Sequence, residues 1–296
     1  MGLVVGLLLV GSTGGLLAQD DLMSLLGEEE ETTEFTKASF KTTRVINAHS
    51  LESTSPGVLD LKIQHRFGFV NGGIKELYGL DQASIRIGLD YGINDHLMVG
   101  FGRSSFEKTL DAFVKLKMLR QSTGKRKMPI TAAAHSSIML YTLPFTDPER
   151  PNYFSSRLYY SNSLIIGRKF SEAFSAQIIP GLLHRNLVEL KSERNDVWYL
   201  GGALRQKLSK RTSLNLEYFY VFPDQIQDGF NNSISFGFDL ETGGHVFQLH
   251  FSNSTGMNEK TFIAENRGDF WNGDIHFGFN VSRVFTVKDT RGSSKH

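Results

Sequence analysis

The sequence predicts an all-β fold: a transmembrane, antiparallel, up-and-down β-barrel of about 12 strands, behind an N-terminal signal peptide and a short extended leader. Three observations carry this prediction. From about residue 57 to about residue 285, apolar and polar residues alternate with period 2. The alternating runs reach the length of roughly 9–11 residues that a tilted strand needs to cross hydrocarbon. Tight turns and longer loops alternate between the runs, as they do between the two sides of an outer-membrane barrel.

The elements follow in order. Residues 1–18 read as a secretion signal, with an apolar run at 3–10 and then Leu16-Leu17-Ala18 before Gln19. That run is too short to span a bilayer as a helix, and no Lys or Arg precedes it. Residues 19–35 form an acidic, flexible periplasmic leader, since the consecutive Glu residues at 28–31 stay solvated. Residues 36–56 form an extended segment. Strands are expected near 57–68, 82–92, 95–104, 108–119, 129–142 and 155–168. Six more are expected near 172–185, 195–208, 211–222, 231–240, 244–252 and 272–285, inside a barrel domain of 57–286. Residues 287–296 are left as a flexible tail.

Tight turns at Asn94-Asp95, Ser171-Glu172, Ser209-Lys210 and 241–244 fall on the periplasmic side. Longer connections at 69–81, 143–154, 186–194, 223–230 and 253–271 face outward, and the Lys- and Arg-rich turn at 120–128 fits less well. Counted this way, the strand beginning at 57 rises from the periplasm and the strand ending at 285 returns to it. Twelve strands then close antiparallel. A further strand at 40–48 would force a parallel closure, so residues 36–56 are assigned to a lumen plug or a periplasmic lid.

The faces separate cleanly. Ile85, Ile87, Leu89 and Tyr91 oppose Ser84, Arg86, Gly88 and Asp90, and Ile275, Phe277, Phe279 and Val281 oppose Asp274, His276, Gly278 and Asn280. Aromatic residues on the apolar face gather near strand ends, among them Phe101, Tyr220 and Phe251 at one rim and Phe170, Phe238 and Phe285 at the other. Composition narrows the function. A net charge of +1 with no basic stripe excludes nucleic acid as a partner. The absence of Cys excludes disulfides, thiolate metal sites and a lipid anchor on Cys.

The polar faces direct Lys62, Gln64, Arg66, Arg86, Asp90, Asp111, Lys115, Arg205, Glu217 and Asp239 into the lumen. Gln248, His250, Asp274 and His276 join them from the last two strands. These residues read either as paired charges filling a narrow barrel or as contacts for a small polar solute. His250, His276 and Asp274 have zinc or copper ligand chemistry. Lumen histidines more often sit in hydrogen-bond networks, so no metal and no cofactor is assigned. His135 and Ser137 share one strand face, a pairing similar to that of outer-membrane phospholipases in which a His activates a Ser. The flanking Ile130, Ala132, Ala134, Ile138 and Leu140 turn both inward, away from lipid, and no catalytic residue is assigned.

Several motifs stand out: HRFG from His65, Asn71-Gly72-Gly73, Gly79-Leu80-Asp81-Gln82, Gly102-Arg103-Ser104-Ser105, Leu119-Arg120-Gln121 and Glu217-Tyr218-Phe219-Tyr220. With ETGGHVFQLHF from Glu241 and GDIHFGFN from Gly273, they resemble a family of Bacteroidota outer-membrane barrels of unknown function. The resemblance covers about residues 36–285 and implies the fold and an outer-membrane location, but no activity. Three functions remain in view: a narrow channel or binding barrel for a small polar solute, occluded by its own Arg and Lys side chains; a lipid hydrolase using His135 and Ser137; and a docking barrel. The partners implied are the lipid bilayer of the outer membrane, a small polar solute and a periplasmic protein.

Overall fold

Twelve consecutive long strands close on themselves in the computed structural model, which describes residues 31–145, 148–149 and 151–288. The signal sequence, most of the acidic leader and the C-terminal tail lie outside the described residues. The wall comprises β2 (Val58–Phe69), β3 (Ala83–Gly92), β4 (Leu97–Ser104), β5 (Leu110–Leu119), β7 (Thr131–Leu140) and β8 (Leu158–Lys169). It continues with β9 (Phe174–Arg185), β10 (Asp196–Lys207), β11 (Thr212–Val221), β12 (Ser233–Thr242), β13 (His245–Ser252) and β14 (His276–Thr286). Each strand pairs antiparallel with its neighbours in sequence, and β14 pairs antiparallel with β2 to close the barrel. This is the twelve-stranded antiparallel closure that the alternation and the loop parity predict.

Register fixes which residues meet lipid. Across β2 and β3, Leu61 faces Leu89 and Ile63 faces Ile87, while Lys62 faces Gly88 and Gln64 faces Arg86 on the opposite side of the sheet. Because side chains alternate strictly, one ladder is outward and apolar but for His65 opposite Ile85, the other inward and largely polar. Ile87 is 50% exposed at the middle of β3. An Arg at such a depth costs about 2–4 kcal/mol in a transmembrane barrel. Ile87→Arg is therefore expected to leave most of the protein in the slow-inserting, heat-unmodifiable form on gels, where Ile87→Leu inserts normally. Equal insertion of the two variants would place this face away from lipid.

Three features depart from the sequence expectations. The basic turn at 120–128 contains a short strand, β6 (Ser122–Gly124), paired with β1 (Thr33–Phe35). The end of the leader, expected to be flexible, is thus a strand, and Arg120 stacks over the Phe35 ring at 4.3 Å. Second, the connection 253–275 is not a solvated outer loop. Residues 256–264 are buried throughout and turn down into the barrel, with a single π-helical turn at Lys260–Ala264. Third, the inner face is not polar all the way round. Met139, Ile165, Leu183, Val197 and Phe219, from β7 to β11, point inward and form an apolar cluster with Phe262 and Ile263 of the inserted loop. The Phe219 and Phe262 rings lie 4.8 Å apart. This side of the lumen is packed like a soluble core, which is why the loop enters there. Among the described residues no helix is long and apolar enough to cross a membrane.

Candidate functional site

Beside the loop lies the N-terminal segment, which enters at the end of the barrel carrying the short turns and adds Val45, Ala48 and Leu51 to the same apolar cluster. Residues 42–51 are buried throughout. They fold back on themselves as a narrow hairpin, with Arg44 bridged to His49, Val45 N–H donating to the Ala48 carbonyl at 2.8 Å and Ser50 N–H to that of Thr43 at 2.9 Å. The tip leaves three backbone donors with no carbonyl of their own. The Glu217 carboxylate on β11 accepts all of them, from Ile46 at 3.1 Å, Asn47 at 2.9 Å and Ala48 at 3.0 Å. Hydrogen bonds to a charged acceptor are among the stronger ones available inside a protein. They also give a buried carboxylate the partners it needs.

The rest of the polar face is organised around this hairpin. Arg66 donates to Asn47 Oδ1 at 2.8 Å and to Asn280 Oδ1 at 3.2 Å. Asp90 accepts from Thr43 Oγ1 at 2.8 Å. Gln248 donates to the Val45 carbonyl at 2.7 Å and to Asp239 at 2.8 Å. Lys115 donates to the Ser50 and Glu52 carbonyls, and Arg205 to those of Ala38 and Ser39 at 3.2 Å. These charges were expected to cross the lumen and block it themselves. Several of them hold a length of backbone that lies inside the barrel.

Arg86, by contrast, binds the wall alone. Its guanidinium takes Asp111 in a two-pronged ion pair and Gln64 Oε1 at 2.8 Å. It lies flat over Gly88 and Gly102, which face each other across β3 and β4. A Cβ at Gly102 would sit 2.2 Å from Arg86 Nη2, so any larger residue there would push the guanidinium off its place. Lower down, Lys62 pairs with Asp60 at 2.7 Å, and Ser282 donates to Asp60 at 2.6 Å.

The last two strands differ from expectation. β14 begins at His276, so Asp274 lies outside the wall, accepting from Asn71 at 2.7 Å and from the Asp269 N–H at 3.1 Å in the outer turn. Both nitrogens of His276 are engaged, by Thr255 Oγ1 at 2.8 Å and the Phe67 carbonyl at 2.7 Å. His250 is paired in register with Gly278, not with His276. These three residues do not converge. His135 and Ser137 both face the lumen, and the Ser137 hydroxyl has no hydrogen-bond partner among the described residues, so the two do not form a dyad facing lipid.

Above the inserted loop, a cavity of about 620 Å³ opens between the outer loops. Its floor is Lys260, which pairs with Glu107 at 2.6 Å and with Glu265, and stands over the Tyr159 ring at 4.9 Å. Burial alone would lower the Lys260 pKa, but Glu265 and Glu107 outweigh it and hold the ammonium above its ordinary value. Arg185 and Glu193 pair at 3.0 Å on another wall of this vestibule. The sequence reading missed both the tip of the hairpin and the inserted loop. One signal was available for the loop: Met257 and Phe262-Ile263-Ala264 are more apolar than a solvated connection requires.

The model of the family described as "Membrane bound beta barrel domain (DUF5777)" matches residues 40–285, the wall together with the hairpin. Among solved structures, the chain is similar to the NanC porin at 7% identity and a TM-score of 0.48, over 77% of this chain and 98% of that one. It is similar to the outer membrane protein Omp33 of Acinetobacter baumannii at 8% identity and a TM-score of 0.39, over 77% and 97%. A third likeness is to LpxR from Salmonella typhimurium, at 9% identity and a TM-score of 0.32, over 77% and 99%. No curated protein matches the chain.

Proposed function

The chain belongs to that family of membrane-bound β-barrels, and on this premise we propose that it is an outer-membrane barrel passing a small polar solute through a lumen closed at rest by the hairpin. The observation that carries this reading is how the hairpin tip is held. Phe262 and Ile263 of the loop and Val45, Ala48 and Leu51 of the hairpin share one apolar cluster, but the hairpin tip also hangs on hydrogen bonds to Glu217, Gln248, Arg66 and Asn280. Hydrogen bonds exchange for water with a net loss of about 0.5–1.5 kcal/mol each, or about 1.5–3 kcal/mol where a charged group takes part. The hairpin tip is therefore the part that entering water would release first.

A solute arriving from outside meets the vestibule first, where aromatic rings and paired charges give a small polar molecule both faces and hydrogen-bond partners. The leader strand β1, held at the opposite mouth by β6, is the handle by which a periplasmic protein would draw the hairpin out. In planar bilayers the intact chain is expected to show no steady conductance. A chain lacking residues 19–48 is expected to keep heat-modifiable migration and to conduct in discrete steps. Large, stable conductance from the intact chain would sink the closed-at-rest reading.

A further inference from the structure

We propose that His49, His135 and Glu259 form a binding site for one first-row divalent cation, of which zinc is the natural probe. The three residues come from three different parts of the molecule. His49 lies on the hairpin, His135 on β7 of the wall and Glu259 on the inserted loop. His49 Nε2 stands 3.7 Å from Glu259 Oε1, and His135 Nε2 stands 3.9 Å from the same oxygen. All three ligand atoms lie within 4.8 Å of one another, and all three residues are buried. Zinc binds imidazole and carboxylate at about 2.0–2.2 Å, so tetrahedral ligands sit roughly 3.3 Å apart. Small side-chain rotations close the difference.

A second observation points the same way. Neither ring nitrogen of His49, nor Nε2 of His135, has a hydrogen-bond partner among the described residues, although both side chains are buried. Their rings lie 4.0 Å apart at a tilt of 39°, with Phe113 packed against His49 at 4.4 Å. Buried polar atoms are rarely left unpaired, and where they are, an ion is among the few explanations. Two imidazoles with one carboxylate suit zinc and its first-row neighbours, whereas calcium and magnesium take oxygen ligands. Three protein ligands leave a fourth position for water or a solute atom.

Arg44 also approaches Glu259, at 3.9 Å, too far for a hydrogen bond. Its Nη1 donates instead to the Asn47 carbonyl at 3.1 Å, which leaves the carboxylate oxygen free to turn to an ion. A cation held here ties hairpin, wall and loop at a single point. It would therefore favour the closed barrel.

The site stands on its own geometry, and its test does not depend on conduction. Tag-free barrel, stripped of metal in detergent, is titrated with Zn²⁺ by calorimetry and with Co²⁺ by visible absorption. One equivalent of each is expected, with the intense bands of four-coordinate cobalt. Loss of even an outer partner typically costs 10–100-fold in metal affinity, so loss of a direct ligand in His49→Ala, His135→Ala or Glu259→Gln should cost about 100-fold or more. Heat-modifiable migration reports that each variant is folded, and Glu259→Gln changes shape least. His184→Ala, which removes a ring bonded to Asp196 at 2.6 Å near the outer rim, is expected to bind as the parent does. Absence of stoichiometric binding by the parent would overturn the site. So would binding that survives all three ligand substitutions or disappears with His184→Ala. Either failure leaves the closed-at-rest reading standing, and a silent deletion variant would leave the metal site standing.

Discussion

Replacing Glu217 by alanine is expected to turn a silent barrel into one that opens in frequent bursts in planar bilayers. The carboxylate is the acceptor for three consecutive backbone donors at the hairpin tip. A buried donor stripped of its acceptor costs about 1–3 kcal/mol. Water entering the space left by the side chain recovers part of that, so a net loss of about 3 kcal/mol for the seated state is reasonable. Each 1.4 kcal/mol is a factor of ten, and the population of unseated hairpin should therefore rise about 100-fold. Glu217→Gln keeps one carbonyl oxygen and should fall between the two. Single-channel recording of the three proteins at equal insertion checks this ordering. If Glu217→Ala is as silent as the parent, the hairpin is not seated by this carboxylate.

The largest loss of stability is expected at Arg86. Its guanidinium is fully buried, and its removal strands Asp111, itself buried in the wall. Breaking one partner of a buried ion pair typically costs about 3–5 kcal/mol, because the remaining charge has no water to turn to. Arg86→Ala should therefore lower the denaturant midpoint of the refolded barrel sharply. Arg86→Lys should recover only part, since an ammonium cannot reproduce the planar fork that meets Asp111 and Gln64 together. The double variant Arg86→Ala with Asp111→Ala removes the stranded charge and should be more stable than Arg86→Ala alone. A double variant no better than the single would mean that the pair does not interact as the geometry shows.

The wall was legible in the sequence because lipid and lumen impose opposite demands on successive residues. In β3, Ile85, Ile87 and Leu89 can face only lipid, and Arg86 and Asp90 only the interior, so strand, face and parity follow from pattern alone. The lumen was legible as a list of side chains but not as an arrangement. Glu217 and the Ile46 N–H it accepts are 171 residues apart, and nothing local marks them as partners. Asp274 was misplaced because alternation was carried past the point where the strand stops. His250 and His276 were rightly put on adjacent strands, but register, which pattern does not fix, separates them. The inward apolar patch on β7 to β11 broke the rule that the interior is polar. It did so because polypeptide, and not water, lies against it.

The hairpin also sets the order in which the molecule can be completed. It precedes every wall strand in the chain, yet its tip is bound by Arg66 of β2 and Asn280 of β14, the two strands that meet at the closing seam. The bond from Asn280 to the Ile46 carbonyl spans 234 residues. Contacts of such separation are rewarded only after most of the chain has been arranged, which makes them late and slow. The hairpin therefore gains its last partners only when the seam closes, after all twelve wall strands are in place. A segment early in the chain is thus expected to be among the last to find its place.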